Sequence, residues 1–164
     1  MRVFITGGTG LVGTRLVARL RERSDTPVVL SRDLAAARAK LDADVEVVGG
    51  DPTVRGPWEH KVATCSAVVN LAGENIFARR WNDEFKAKIH DSRVQATKNI
   101  VAAIAGATNK PGVLLHASAI GYYGPRGDEL RSLRCLGRRR DHGRGDAAEP
   151  ARQPRVQPGR PLLR

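Results

Sequence analysis

The sequence predicts an α/β fold in which a doubly wound parallel sheet is covered by helices on both faces. Three observations predict it. Short apolar runs alternate along the chain with segments of helical periodicity. The runs are continuously apolar instead of alternating with polar residues, as expected for strands that are buried on both faces. A glycine-rich turn connects the first apolar run to the first helical segment. We therefore expect right-handed crossovers between parallel strands.

Five strands and the helices between them are predicted before residue 117. The predicted strands are Arg2–Thr6, Pro27–Leu30, Val45–Val48, Ala67–Leu71 and Val113–His116. Residues 11–20 repeat apolar side chains at helical spacing, and Asp33 is suited to cap an alanine-rich helix that runs to Leu41. A long helix is expected from about Asn82 to Ala105. Its predicted buried face contains Phe85, Ile89, Val94, Ile100, Val101 and Ile104.

Composition excludes several classes of protein. No apolar run approaches the roughly 20 residues of a membrane span, and the first residues lack the apolar core of a signal peptide, so we expect a cytoplasmic protein without membrane contact. Cys65 and Cys135 are expected to be free thiols. The four histidines form no ligand pair at metal-binding spacing, so no metal site is expected.

The basic charge is concentrated near the C-terminus. Residues 1–130 carry 18 Lys and Arg against 14 Asp and Glu, whereas residues 131–164 carry 10 Arg against 3 acidic residues. The segment 130–164 is rich in Arg and Pro and has no aromatic residue and no regular period. We therefore predict a disordered basic tail after a dinucleotide-binding domain of residues 1–129. We also expect the sheet to be truncated after about five strands, as a reading-frame shift near Glu129 would produce.

The glycine-rich turn points to a dinucleotide. Residues 8–13 fit the pattern G-x-G-x-x-G between a strand and a helix, which is the context that this motif requires. There the glycines permit a tight turn, close approach of a pyrophosphate and close packing of helix on strand, and the helix N-terminus attracts the anion. The predicted cofactor-binding residues in this turn are Gly7, Gly8, Thr9, Gly10, Leu11, Val12 and Gly13. The alternative is a glycine-rich turn that binds no ligand.

The end of the second strand indicates which dinucleotide is bound. An acidic residue there would bind the ribose hydroxyl of NAD, whereas an arginine would accept the 2′-phosphate of NADP. Arg32 stands at this position, beside the hydroxyl of Ser31, and we interpret Asp33 as the cap of the next helix. NADP is therefore favoured over NAD. The alternative for Arg32 is a solvated surface residue.

Several motifs together resemble one protein family. TGGTGLVG, LSRD, VVNLAGENI, RRW, DSRVQATKNIVAAI and SAIGYYG occur in this order within residues 1–129. The chain resembles the atypical extended short-chain dehydrogenase/reductases of the epimerase family, which are similar to nucleoside-diphosphate-sugar epimerases. This resemblance implies a Rossmann domain that binds NADP. It places Gly7–Gly13 at the pyrophosphate, Ser31 and Arg32 at the adenosine phosphate, Leu71, Ala72 and Gly73 beside the cofactor, and Arg93 across the cleft.

The catalytic residues of that superfamily are mostly absent. Its members use a Ser or Thr, a Tyr-x-x-x-Lys pair and an asparagine, with the lysine lowering the pKa of the tyrosine. This chain has no lysine after Lys110. Ser118, Tyr122 and Tyr123 are the remaining candidates. Candidates for contact with an anionic substrate follow the fourth strand, namely Glu74, Asn75, Arg79, Arg80 and Trp81, and the alternative is a surface loop with Trp81 as a packing anchor.

Three functions remain open from the sequence. The resemblance implies an NADP-dependent oxidoreductase or epimerase that acts on a small polar or nucleotide-linked substrate. The second reading is a truncated dinucleotide-binding module without catalysis. The third is nucleic-acid binding through the arginine-rich tail, which is disfavoured because aromatic residues and a recognised binding module are absent from the tail.

Overall fold

A computed structural model describes residues 1–118, which form a five-stranded sheet flanked by helices. The strands are β1 (Arg2–Thr6), β2 (Thr26–Ser31), β3 (Glu46–Gly49), β4 (Ala67–Asn70) and β5 (Val113–His116). The helices are α1 (Leu11–Glu22), α2 (Leu34–Lys40), α3 (Glu59–Val62) and α4 (Asp83–Gly106). Every predicted strand is present to within one residue at each end. The predicted tail, and the boundary at residue 129, lie outside the described residues.

The sheet is parallel throughout, with strand order β3-β2-β1-β4-β5. The chain builds outward from β1 to β3 and then returns to place β4 on the other side of β1. The strand order therefore reverses between β1 and β4, and a doubly wound sheet opens a ligand crevice at such a point, beyond the carboxyl ends of the strands. The predicted fold class is confirmed.

Both faces of β1, β2 and β4 are buried, as the continuously apolar runs predict, whereas the predicted burial of β5 is wrong because all four of its residues are exposed at the edge of the sheet. Val3 and Ile5 belong to a cluster that includes Val17 of α1, whereas Phe4 belongs to a second cluster that includes Ile100 of α4. Because neighbouring residues of a strand point to opposite faces, one short strand supplies both clusters. Phe4 and Ile5 have no exposed surface. Within residues 1–118, no helix combines the length and apolarity that crossing a membrane requires.

The connection between β3 and β4 contains an anchor that the periodicity did not indicate. Trp58 is 2% exposed and stacks on Phe4, with ring centroids 5.9 Å apart and planes inclined by 20°. Its indole N–H donates a hydrogen bond of 3.0 Å to the carbonyl of Val54. The indole is thus buried with its polar atom satisfied, and it fixes a long connection against the sheet.

The long helix begins where predicted but buries a narrower face. The side chain of Asn82 caps α4 by accepting a hydrogen bond of 2.7 Å from the amide of Phe85. Ala96, Ile100 and Ala103 are buried, whereas Val101 is 48% exposed. The predicted burial of Val101 is therefore wrong. Successive residues of a helix are rotated by about 100°, so the residue after Ile100 points away from the sheet.

Candidate cofactor cleft

A cleft of about 340 Å³ lies beyond the carboxyl ends of β1, β2 and β4. This volume falls within the range of about 300–1,000 Å³ that is typical of ligand sites. Three of the sequence-predicted segments meet there. Gly7, Thr9 and Gly10 come from the turn after β1, Ser31 and Arg32 from the end of β2, and residues 71–73 from the chain after β4. The remaining predicted residues lie outside its lining.

Three of the four glycines in the turn are required by the protein itself. Gly7 has φ +69°, and a β carbon there would lie 2.7 Å from the carbonyl of Leu71. A β carbon at Gly8 would lie 2.6 Å from a methyl group of β2, and one at Gly13 would overlap the carbonyl oxygen of Gly7. Gly8 and Gly13 thus allow α1 and the turn to pack closely on the sheet.

Gly10 differs from the other three glycines. Among the described residues, only the carbonyl oxygen of Gly7 comes within 4 Å of a β carbon built at Gly10, at 3.3 Å. Its φ of −80° and ψ of 176° are accessible to any residue. Backbone conformation therefore does not require a glycine at this position, and packing against the described chain disfavours a β carbon only through this single contact. The position borders the cleft.

The N-terminus of α1 is left without a side-chain cap. Gly10 is its N-cap, and the first turn has no acidic residue. By contrast, Asp33 caps α2 and Asn82 caps α4. An uncapped N-terminus carries free N–H groups and the positive end of the helix dipole, which together favour an anion. Leu11 and Val12, in this first turn, are 80% and 65% exposed.

The end of β2 places both Arg32 and Asp33 on the cleft. Asp33 caps α2 as predicted, because its carboxylate accepts a hydrogen bond of 2.9 Å from the amide of Ala36. The hydroxyl of Ser31 donates to the carbonyl of Asp33 at 2.9 Å and is engaged locally. Arg32 and Lys40 both line the cleft, and neither forms an ion pair within residues 1–118.

Sequence reasoning missed the contribution of the chain after β3. Asp51, Pro52 and Thr53 line the cleft. Asp51 accepts hydrogen bonds from the amide of Thr53 at 2.8 Å and from its hydroxyl at 2.7 Å, and Asn99 of α4 donates to the carbonyl of Pro52 at 2.9 Å. The sequence Gly-Gly-Asp-Pro-Thr is typical of a turn. It gave no indication that this turn faces a ligand.

Arg93 supports the wall of the cleft from the side of α4. Its guanidinium donates to the carbonyls of Glu74 at 3.1 Å and Ile89 at 3.0 Å. A β carbon at Gly73 would lie 3.0 Å from the central guanidinium carbon. Gly73 thus allows Arg93 to approach the chain after β4, and Arg93 stands behind this wall.

The loop before α4 is held by its own contacts. The guanidinium of Arg79 lies 5.4 Å from the centre of the Phe85 ring, and the indole of Trp81 donates to the carbonyl of Ile76 at 2.8 Å. Trp81 also borders a second cavity of about 240 Å³ against α4. Binding of an anionic substrate by this loop stays a prediction.

The candidate catalytic residues are only partly described. Ser118 is exposed, two residues beyond β5, whereas Tyr122 and Tyr123 lie outside the described residues. Within the described part of the chain, no group of three or more His, Cys, Asp or Glu side chains could hold a metal ion.

Known proteins share both the sequence pattern and the fold. An epimerase family protein of Mycobacterium bovis is 38% identical over 128 residues, which cover 78% of this chain and 40% of that protein. The epimerase family protein SDR39U1 of Bos taurus is 35% identical over 127 residues, covering 76% of this chain and 39% of that protein. The chain thus spans about two fifths of the length of these relatives.

A solved structure gives the same result. The crystal structure of human epimerase family protein SDR39U1 (isoform 2) with NADPH is similar, with a TM-score of 0.58 and 30% identity, over 77% of this chain and 39% of that one. Residues 3–139 match the family described as the NAD dependent epimerase/dehydratase family. Since this match covers most of the sequence, the chain belongs to the NAD dependent epimerase/dehydratase family.

Proposed function

We propose that the cleft binds a nicotinamide dinucleotide, with its pyrophosphate at the N-terminus of α1. The observation that carries this proposal is the combination of a glycine that borders the cleft and has a single close chain contact, at 3.3 Å, with a helix end that lacks a side-chain cap. Gly10 would allow the phosphates to approach, and the free N–H groups of the first turn would bind them. The human relative whose structure contains NADPH supports the same assignment.

We infer that NADP is preferred over NAD. Arg32 would pair with the 2′-phosphate, because a guanidinium binds phosphate through two parallel hydrogen bonds. Lys40 also lines the cleft and adds a second positive charge. Asp33, the acidic competitor for a ribose hydroxyl, is occupied in capping α2.

The reaction proposed for the longer protein is oxidation and reduction, or epimerisation, of a small polar or nucleotide-linked substrate. When bound, the cofactor would supply hydride transfer at its nicotinamide ring. The residues of this chain would orient the cofactor and present the substrate side of the ring beyond β4 and β5. A second candidate is a binding module without turnover, which is favoured by the absence of a Tyr-x-x-x-Lys pair.

The proposal is tested by measuring the binding of NADPH and NADH to the wild type and to two arginine variants. A charge-assisted contact of this kind contributes about 1.5–3 kcal/mol, so Arg32→Ala should weaken NADPH binding by roughly tenfold to a hundredfold. NADH binding should change little. Arg38→Ala is the matched control, because Arg38 lies on the same helix as Lys40 but outside the cleft lining. Equal losses for both cofactors would make Arg32 structural, and failure of the wild type to bind either cofactor would overturn the proposed function.

A further inference from the structure

A network of buried polar groups joins the carboxyl ends of β1 and β4. Thr6 and Asn70 are the last residues of these apolar strands, and they are 0% and 1% exposed. The Thr6 hydroxyl donates to the Asn70 side-chain oxygen at 2.6 Å. The amide of Ala72 donates to both, at 3.2 Å to the Thr6 hydroxyl and 3.3 Å to the Asn70 oxygen. One asparagine oxygen thus holds the backbone of a residue that lines the cleft.

The nitrogen end of the same amide is fixed independently. Asn70 Nδ2 donates to the hydroxyl of Thr97 at 3.2 Å. That hydroxyl uses its single hydrogen toward the carbonyl of Arg93, at 2.7 Å, so it can only accept from Asn70. A reversed amide would place an N–H₂ group against the N–H of Ala72. Both ends therefore require the same orientation of the Asn70 side chain.

The fixed amide determines the protonation pattern of His116. The ring nitrogen Nδ1 of His116 lies 3.1 Å from Asn70 Nδ2, which has a second hydrogen to donate. Nδ1 must then accept with its lone pair, and the hydrogen of the neutral ring must be on Nε2. His116 is the last residue of β5 and is exposed, at the sheet edge where ligands of doubly wound folds bind.

We propose that Asn70 is a positioning residue that holds His116 as the Nε2–H tautomer. The ring thereby offers a hydrogen-bond donor to an oxygen atom of the substrate, a carbonyl or hydroxyl oxygen being the acceptor that fits. Only the presence of a substrate near this edge rests on the proposed function. The tautomer follows from the network alone. The same side chain also holds Ala72, so one amide supports both the cofactor wall and this donor.

Long-range proton–nitrogen correlation spectra of the imidazole rings test the assignment in the protein without cofactor. At about pH 8.5 an ordinary imidazole is neutral, and His116→Gln identifies the signals of this ring. Wild-type His116 should show the Nε2–H pattern. Asn70→Asp replaces the donor by an acceptor of nearly equal shape, so the hydrogen should move to Nδ1. A wild-type ring with its hydrogen on Nδ1, or a tautomer that Asn70→Asp leaves unchanged, would overturn the proposal.

Thr97→Val is the matched control. It removes an acceptor from the same amide but leaves the contacts of Thr6 and Ala72 that orient it, so His116 should keep the Nε2–H pattern. If the hydrogen of His116 moves to Nδ1 in Thr97→Val as well, loosening of the network is enough to change the tautomer, and the role of Asn70 is overturned. If Asn70→Asp prevents folding, the tautomers of His116 in the wild type and in Thr97→Val still test the proposal. NADPH titration of the wild type is a separate measurement, so failure of the cofactor proposal is distinguishable from failure of this one.

Discussion

A side chain at position 10 should separate cofactor binding from folding stability. Gly10→Asp is the sharpest change, because the N-cap position of α1 accepts an aspartate without backbone strain. Its carboxylate would bind the free N–H groups that we assign to the pyrophosphate. The same residue type already performs this capping in α2, where Asp33 bonds to the amide of Ala36 at 2.9 Å.

Gly10→Asp is expected to leave stability unchanged or raise it slightly, but to weaken NADPH binding strongly. An aspartate N-cap gains a few tenths of a kcal/mol over glycine, and an acid at the positive helix end adds about 0.3–1 kcal/mol. The contact of 3.3 Å between the new β carbon and the carbonyl of Gly7 offsets part of this. Stability should therefore be unchanged or rise by up to about 1 kcal/mol. Like charges at an interface cost several kcal/mol, so NADPH affinity should fall at least about a hundredfold.

Gly13→Ala is the matched variant in the same turn. Replacing a helical glycine by alanine gains about 1 kcal/mol, but overpacking of this kind costs about 3 kcal/mol. The new β carbon would overlap the carbonyl oxygen of Gly7 and lie 2.6 Å from the α carbon of Gly8. Since these are backbone atoms with little freedom to move, a net loss of about 2 kcal/mol is expected.

Urea unfolding and NADPH titration of the two variants complete the experiment. We expect Gly10→Asp to keep or raise its unfolding midpoint while NADPH binding is lost, and we expect Gly13→Ala to lower the midpoint. Retained NADPH affinity in a folded Gly10→Asp protein would refute the assignment of this helix end to the pyrophosphate. Equal destabilisation of both variants would show that Gly10 is required for packing.

Three further predictions concern the scaffold. Trp58→Ala should cost about 3–5 kcal/mol in urea unfolding because it removes the indole stacked on Phe4, and a loss below 1 kcal/mol would contradict the anchoring role. Hydrogen bonds from Lys61 and Arg2 lower the pKa of Glu46. The ionised carboxylate therefore stabilises the fold at pH values above the usual pKa of 4.5, and this contribution is lost as the pH falls through the folded-state pKa. Glu46→Gln should thus be about 0.5–1 kcal/mol less stable than the wild type at pH 7, and this difference should shrink as the pH falls below 4.5. A difference that stays constant in acid would exclude the ion pairs as its cause. Burial raises the pKa of the Cys65 thiol, so in a Cys135→Ser background iodoacetamide should modify it at the rate of unfolding, whereas rapid labelling of the folded protein would show that the thiol is accessible.

Much of the fold could be predicted because its strands and caps obey local rules. Val113–His116 is apolar, follows a proline and a glycine, and forms a strand with the predicted bounds. Asp33 stands directly before an alanine-rich helix and caps it. These signals are carried by adjacent residues, so no knowledge of tertiary contacts was needed to interpret them.

The features that were missed depend on contacts between distant parts of the chain. The helix α3 has four residues, too few for a period to be visible, and Trp58 is buried because Phe4 lies opposite it. Val101 is apolar but points to solvent, because the buried face of α4 is centred on Ala96, Ile100 and Ala103. Asp51 reaches the cleft through the parallel pairing of β3 with β2, which sequence spacing alone does not reveal.

The difference between local signals and long-range contacts also explains why the G-x-G-x-x-G motif alone does not show which of its glycines face a ligand. Its pattern does not tell which glycines pack against the protein and which face a ligand, because both uses exclude a β carbon. The structure separates them: a β carbon at Gly7, Gly8 or Gly13 would lie less than 3 Å from neighbouring chain, whereas one at Gly10, which borders the cleft, would meet only the carbonyl oxygen of Gly7 among the described residues, at 3.3 Å. The N-terminus of α1 also lacks the side-chain cap that Asp33 gives α2 and Asn82 gives α4, so a local stabilising interaction is missing there. A glycine N-cap in place of Asp or Asn costs only a few tenths of a kcal/mol. The glycine and the missing cap leave the N-terminus of α1 open at the point where the strand order reverses, and a bound anion there would accept hydrogen bonds from its free N–H groups.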